Sequence, residues 1–200
     1  MDFLQFPRHT LEYNAGDCDD LSICYSAMLE STGIETAFIT IPGHIFAAFA
    51  LTTTPDEARS LFLNPDNLIY KDEKSWIPVE ITMIRDGFLK AWDRGARQWR
   101  ENADSGNARF HSIHDAWQEY EPVGLAASNI SLAGVDSAAL MARYAATLNR
   151  FVEMEIGERV SQLAQQIAKI PGRLVEVQSE CVLDRSRWHG GLSRDEELSA

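Results

Sequence analysis

A cysteine and a histidine near the start of the chain have the types and positions needed for nucleophilic chemistry. Cys18, in "GDCDDLS", directly precedes a helical pattern, and His44 begins the apolar run "HIFAAFAL". A helix N-terminus offers free backbone N–H groups and a favourable dipole, and both stabilise a thiolate and an oxyanion. Because Asp17, Asp19 and Asp20 would raise the pKa of Cys18, the helix start alone does not activate the thiol, whereas a nearby imidazolium would.

A carboxylate follows in the segment "WIPVEIT", where Glu80 interrupts an otherwise apolar strand pattern. If alternate residues of this strand share a face, Glu80 points toward the region that Trp76 covers. A carboxylate in such surroundings requires a partner. In chain order, Cys18, His44 and Glu80 therefore supply a nucleophile, a base and an orienting acid.

Each of these residues also has a purely structural interpretation. A lone cysteine is most often a small buried hydrophobe, and we assign Cys24 and Cys181 to that class. A histidine that follows a Pro-Gly pair is often a partly exposed turn residue, and a strand glutamate often faces water at an edge. The combination of the three residues, rather than any one of them, indicates catalysis.

No metal or cofactor site is predicted. The acids that surround Cys18 could hold calcium, but a helix N-terminus favours acidic residues without any metal. His111 and His114 lack a third ligand and are interpreted as surface residues. The three cysteines have neither metal-ligand spacing nor the even number typical of a disulfide framework.

The elements that must position these residues form an α+β pattern. Apolar residues recur with helical spacing after Asp17, and Gly33 stands where a helix would end. Four short strand patterns follow, at residues 37–41, 44–51, 68–70 and 76–82, with the turn signal Pro-Gly between the first two. Residues 17–82 therefore predict one helix followed by an antiparallel meander.

The second half of the chain is mainly helical in pattern. A helix is predicted from Phe88, and a longer one runs from about Val135 to Lys169 with a period near 3.6. We therefore expect a core over residues 1–103, a helical extension over 104–172 and a flexible tail over 173–200.

Composition excludes several classes of function. The net charge is −12, with no cluster of basic residues that could neutralise nucleic-acid phosphates. The apolar runs are too short to span a membrane, and the first residues lack the pattern of a signal peptide. The opening segment resembles the middle of a longer chain, so we interpret the chain as a fragment and leave the compartment open.

The three chemically suggestive segments resemble those of a known family. "GDCDDLS", "GIETAFITIPGHIFAAF" and "WIPVEIT" are similar to the cysteine, histidine and acid segments of the transglutaminase-like superfamily of cysteine enzymes. The resemblance covers Gly16 to Thr82 and is nearest to bacterial transglutaminase-like domains found within larger proteins. It implies a papain-like core, in which the nucleophile begins a helix packed on an antiparallel sheet that carries the histidine and the acid.

Carried over residue by residue, the resemblance makes Cys18 the nucleophile, His44 the general base and acid, and Glu80 the group that orients His44. Glu80 stands where the family usually has aspartate. The stretch after His44 is also long, which leaves Asp66 in "NPDNLIY" as an alternative acid.

The resemblance also suggests where the rest of the cleft lies. The backbone N–H of Cys18 is the expected oxyanion donor, and Asn14 or the backbone of Tyr13 is a candidate for a second one. Trp76 is a candidate for the wall of the cleft.

The implied reaction is acyl transfer at an amide bond of a peptide or protein substrate. Cys18 attacks the carbonyl and forms a thioester, which water or an amine then resolves. Hydrolysis by a protease or deamidase and amine transfer by a transglutaminase differ only in that acceptor, and water is the default. The alternative is a non-catalytic binding or scaffold module, which docks to other domains of a longer parent chain.

Overall fold

The computed structural model describes residues 3–125, 134 and 136–169 and confirms an α+β architecture. The described residues up to Val160 form one compact unit, and those from Ser161 onward belong to a second one. The predicted tail, residues 173–200, lies outside the described residues. Within the described ranges, no helix combines the length and hydropathy needed to cross a membrane.

The described elements are helices and short strands joined mostly by tight turns. The α-helices are α1 (Pro7–Tyr13), α2 (Cys18–Glu30), α3 (Pro55–Leu61), α4 (Phe88–Ala103), α5 (Ile113–Glu119) and α6 (Ser137–Ala168). The strands are β1 (Thr36–Ile41), β2 (His44–Ala50), β3 (Ile69–Lys71), β4 (Lys74–Val79) and β5 (Arg109–Ser112). Two short 3₁₀ turns cover Pro65–Asn67 and Ile81–Met83.

The strands form one antiparallel five-stranded sheet in the order β3-β4-β2-β1-β5. The sheet is curled, and the curl is visible in contacts between side chains from opposite sides of the sheet, which meet across its concave face. Phe110 of β5 packs edge-on against Trp76 of β4, with ring centroids 5.0 Å apart, and the Lys71 ammonium of β3 lies 5.4 Å from the Phe110 ring centroid. Ile39 and Phe46 are buried in the same cluster.

A second apolar cluster joins the sheet to α4. Ile77 and Val79 of β4 pack there with Ala91, Trp92 and Ala96 of that helix. Trp92 is also held by a hydrogen bond from its Nε1 to the carbonyl oxygen of Asn67 at 2.8 Å. Helix α2 packs separately against β1 and β2.

Several elements differ from the sequence prediction. The last predicted strand ends at Val79, so Glu80 does not lie in mid-strand but caps the 3₁₀ turn that follows. Sequence reasoning also missed α1, α3 and β5. Helix α3 lies inside a segment whose polarity resembles a loop, and Thr54 and Glu57 form its capping box.

The long helix predicted at about residues 135–169 is confirmed as Ser137–Ala168. Its apolar stripe, however, is largely exposed. Phe151 is the member that packs on the core. Its ring centroid lies 6.2 Å from that of Phe62 and 6.1 Å from that of Trp92. Glu155 adds a hydrogen bond from the backbone N–H of Leu63 at 2.6 Å.

Gly95 permits α4 to lie directly on the backbone of β4. A Cβ atom at this position would be 2.8 Å from the carbonyl carbon and oxygen of Pro78 and 3.0 Å from the Val79 nitrogen. Backbone atoms in the middle of a sheet cannot move aside cheaply. We expect Gly95→Ala to destabilise the fold by about 1–3 kcal/mol through overpacking.

Gly157 in α6 provides the matched control, because among the described residues, apart from its chain neighbours and the helix's own backbone, a Cβ there comes within 4 Å of no atom. Gly157→Ala should stabilise the protein by about 0.5–1 kcal/mol, since alanine is the better residue in a helix interior. Urea denaturation of both variants measures the difference. Equal effects of the same sign would show that the close approach at Gly95 is unimportant.

Candidate active site

Cys18 is the first residue of α2, and its thiol is partly exposed at the positive end of the helix dipole. Asp17 is the N-cap residue, and its side chain accepts a hydrogen bond from the Asp20 N–H at 3.4 Å. Asp20 returns the interaction by accepting from the Asp17 N–H, also at 3.4 Å. This capping box explains why the helix begins at Cys18.

Asp20 also ties the N-terminal segment to the start of α2. Its carboxylate is 3% exposed and accepts from the backbone N–H and the Nε2 of Gln5, both at 2.7 Å. Gly16 allows this approach, because a Cβ there would be 2.8 Å from the Asp20 Cβ. The chain that leads into Cys18 is therefore anchored at both ends.

His44 and Glu80 form an ion-pair contact beside this helix. His44 is the first residue of β2, directly after Gly43, whose φ of 72° makes the turn. Its Nε2 lies 2.6 Å from the Glu80 Oε2. The Glu80 side chain is 4% exposed and that of His44 is 23% exposed, so the pair has a buried acid and an accessible imidazole.

Glu80 is held in place by further side-chain and backbone hydrogen bonds. Its Oε1 accepts from the Thr82 hydroxyl at 2.5 Å and from the Thr82 N–H at 3.2 Å. Its own N–H donates to the carbonyl oxygen of Ala91 at 2.9 Å, which links it to α4. Thus Oε1 of the Glu80 carboxylate accepts hydrogen bonds from Thr82 in the turn, and Oε2 contacts His44.

The pKa of Glu80 reflects opposing effects. Burial raises it, but the hydrogen bonds from the Thr82 hydroxyl and from His44, the charge of His44 and the Thr82 N–H together lower it below its ordinary value. Glu80 therefore stays ionised. An ionised acceptor at the Nε2 of His44 assigns a proton to that nitrogen, so in the neutral imidazole Nδ1 is the nitrogen that can accept one.

Packing brings the elements of the three predicted residues together. Helix α2 contacts both β2, which begins with His44, and the turn Ile81–Met83, which follows Glu80. A thiol at a helix start, an imidazole and a buried carboxylate therefore belong to one set of mutually packed elements.

The other predicted site residues lie elsewhere. Asp66 is exposed in the turn Pro65–Asn67, and its carbonyl oxygen accepts from Arg100 at 2.9 Å. The acid that contacts His44 is Glu80 and not Asp66. Asn14 is exposed at the end of α1 in the left-handed conformation, with φ of 51°.

The expectation that Trp76 walls a cleft is wrong. Its side chain is 2% exposed and lies inside the curled sheet, where its Nε1 donates to the Lys71 carbonyl oxygen at 3.2 Å. The interior needs a large apolar residue on β4 to fill the space under Phe46 and Phe110.

Sequence reasoning missed the roles of Thr82 and of Asp20 with Gln5. Two signals were available in the sequence. An acid two residues before a threonine permits a local side-chain cap, and the spacing of Asp17 and Asp20 fits a capping box. The contact of Asp20 with Gln5 spans 15 residues and has no local signature.

The acids near Cys18, and the histidines His111 and His114, have protein partners. Side-chain oxygens of Asp17, Asp19 and Asp20 lie within 4.8 Å of one another. Those of Asp17 and Asp20 accept the hydrogen bonds of the capping box, and those of Asp20 also accept from Gln5. The ring of His111 is 3.3 Å from the Thr40 hydroxyl, and that of His114 is 2.9 Å from a Glu30 oxygen.

Comparisons of the chain with protein-family models, with curated proteins and with solved structures found no match.

Proposed function

We propose that the chain is a thiol-dependent acyl-transfer enzyme that acts on amide bonds through Cys18, His44 and Glu80, with a transglutaminase-like, papain-like core. The observation that carries the proposal is the 2.6 Å contact between His44 and the buried Glu80 beside the helix that begins with Cys18. Such an acid fixes both the orientation and the tautomer of the imidazole.

The reaction begins when Nδ1 of His44 takes the proton of the Cys18 thiol. The thiolate attacks the carbonyl carbon of the amide, and the tetrahedral oxyanion is stabilised by the Cys18 N–H at the start of α2. Collapse breaks the C–N bond as His44 returns its proton to the leaving nitrogen, which leaves a thioester. Water then attacks the thioester, with His44 as base, and releases the acid and Cys18. An amine in place of water would give transfer.

The second candidate is a binding or scaffold module that keeps this fold without turnover. The exposed apolar side chains of α6 favour it, since Leu140, Tyr144 and Leu148 are each 45–60% exposed. Such a stripe is typical of docking surfaces. The two candidates differ in whether Cys18 is activated by His44.

The test is the pH dependence of Cys18 alkylation by iodoacetamide, followed by peptide mass spectrometry. We expect wild-type Cys18 to react well below the ordinary thiol pKa of about 8.5. At pH about 6, His44→Ala should react about tenfold more slowly, because a larger fraction of the Cys18 thiol is protonated without the imidazolium. The thiolate that remains in the variant is somewhat more nucleophilic than in wild type, but this gain is smaller than the loss of thiolate.

Two controls separate activation from access. His111→Ala removes a histidine of β5 and should leave the profile unchanged. Cys24 is buried, its pKa is raised by that burial and its Sγ lies 3.7 Å from the Pro7 carbonyl oxygen, so it should stay unreactive in folded protein. A Cys18 profile that matches an ordinary thiol in both wild type and His44→Ala would contradict the enzyme proposal and favour the scaffold module.

A further inference from the structure

A groove of about 390 Å³ runs along the C-terminal half of α2, away from the Cys18 end of that helix. The N-terminal segment and α5 form its sides, and β1 contributes to its floor. Sites for small molecules usually measure about 300–1,000 Å³ and are mainly apolar. The apolar lining here includes Leu4, Phe6, Ile23, Phe38, Ile113 and Trp117.

Two polar side chains of this groove have unsatisfied oxygens. Ser26 is 1% exposed, and its Oγ has no hydrogen-bond partner within the part of the chain that the structure describes. The same holds for the buried Oε1 of Gln5. Both residues line the groove. Buried polar atoms without partners are rare and costly, so two in one apolar groove indicate a missing ligand group.

The chemistry of that group follows from the orientation of Gln5. Its amide nitrogen donates to the buried Asp20 carboxylate at 2.7 Å, which assigns the nitrogen to Asp20 and leaves the buried oxygen without a partner among the described residues. An amide oxygen only accepts hydrogen bonds. A ligand that satisfies it must therefore present an N–H or O–H donor, which reaches the oxygen after a small rotation of the Gln5 side chain.

The charge at the rim selects against anions. Glu30 lines the groove, and its carboxylate accepts from the Thr36 N–H at 2.6 Å, the Thr36 hydroxyl at 2.8 Å and the His114 ring at 2.9 Å. Glu35 is 3.9 Å from the other nitrogen of His114. An anionic ligand would meet the Glu30 carboxylate, with Glu35 beside the same histidine but outside the lining, in a chain of net charge −12.

We propose that this groove is a second binding site, which takes a small neutral aromatic molecule that carries a hydroxyl or N–H donor. The ring packs against the aromatic walls formed by Phe6, Phe38 and the partly exposed Trp117. The donor is bound by the oxygens of Gln5 and Ser26. This site is independent of the proposed chemistry at Cys18.

Three naphthalene derivatives of matched shape test the chemistry on the whole chain by isothermal titration calorimetry. The neutral donor 2-naphthol should bind saturably. 2-Methoxynaphthalene has no donor and should bind about tenfold more weakly, the loss expected when a buried acceptor stays unpaired. The anion 2-naphthoate should bind more weakly still. Equal affinities for all three, or no saturable binding of 2-naphthol at millimolar concentration, would overturn the proposal.

Two variants locate the site. Ala27 is exposed and lines the groove, so Ala27→Leu should fill it and abolish 2-naphthol binding. Ala142→Leu makes the same change at an exposed position of α6 and should leave binding intact. Binding that survives Ala27→Leu, or is lost equally in both variants, would contradict the assignment. Circular dichroism tests whether each variant is folded. The comparison of the three ligands on the wild-type chain does not depend on either variant.

Discussion

Glu80→Ala is expected to destabilise the protein by about 3–5 kcal/mol, the effect of removing a buried carboxylate that several groups need as a hydrogen-bond partner. Glu80 is 3% exposed and holds the Thr82 hydroxyl, the Thr82 N–H and the His44 ring. Alanine leaves all three without this partner. Glu80→Gln keeps the shape but loses the charge, so we expect a smaller loss of stability and a Cys18 alkylation rate at mildly acidic pH close to that of His44→Ala.

The stabilisation by Glu80 should depend on pH in a defined direction. Its pKa is lower in the folded protein than its ordinary value of 4.5. A group of this kind stabilises the fold fully above its unfolded-state pKa, and the contribution is lost as the pH falls through the folded-state pKa. The difference in unfolding free energy between wild type and Glu80→Gln should therefore be largest near neutral pH and shrink below about 4.5.

Urea denaturation at several pH values measures both effects. Glu57 is a matched control, because it also accepts from a threonine N–H and hydroxyl, those of Thr54, but is exposed at the start of α3. Glu57→Ala should cost much less. A Glu80→Ala variant no less stable than Glu57→Ala would show that the His44–Glu80 pair does not contribute to the fold.

Asp20→Ala is expected to destabilise the protein by about 2–4 kcal/mol and to release the segment that precedes α2. Alanine removes the acceptor for the Gln5 N–H and Nε2 and for the Asp17 N–H. Half of the capping box is lost at the same time, so the turn that begins with Cys18 should fray.

Asp19→Ala is the control within the same helical turn. Asp19 is more exposed than Asp20, and its described hydrogen bond is the one its Oδ1 accepts from the Asp20 N–H at 3.2 Å. We expect a loss below about 1 kcal/mol for this variant. Hydrogen exchange should show faster opening of residues 5–18 in Asp20→Ala alone. Similar exchange in both variants would mean that Asp20 does not anchor the N-terminal segment.

Much of the local structure could be predicted because it depends on neighbours in the chain. The start of α2 follows from acids at the capping positions, and the β1–β2 hairpin follows from a Pro-Gly turn between two apolar runs. The period of 3.6 predicted α6 to within two residues at its start. Helix α3 was missed, although its capping box is equally local, because a polar surface helix lacks the apolar period.

The partners of buried polar groups were decided by tertiary structure. His44 and Glu80 are 36 residues apart, and their contact depends on the antiparallel pairing of β2 with β4 and on the Ala91 carbonyl of α4 that fixes the Glu80 backbone. Asp66 is nearer in sequence, but its turn holds it at the surface. Nothing in the spacing of the acids distinguishes the two.

By itself, then, the sequence determined the residue types available for chemistry and the helix start that carries Cys18, because capping and periodicity act over a few residues. Only the tertiary structure decided that Glu80 is the acid at His44, that Trp76 fills the sheet interior and that Gln5 binds Asp20. The physical reason is that each of these contacts forms between segments distant in the chain, where strand register and burial select the partner.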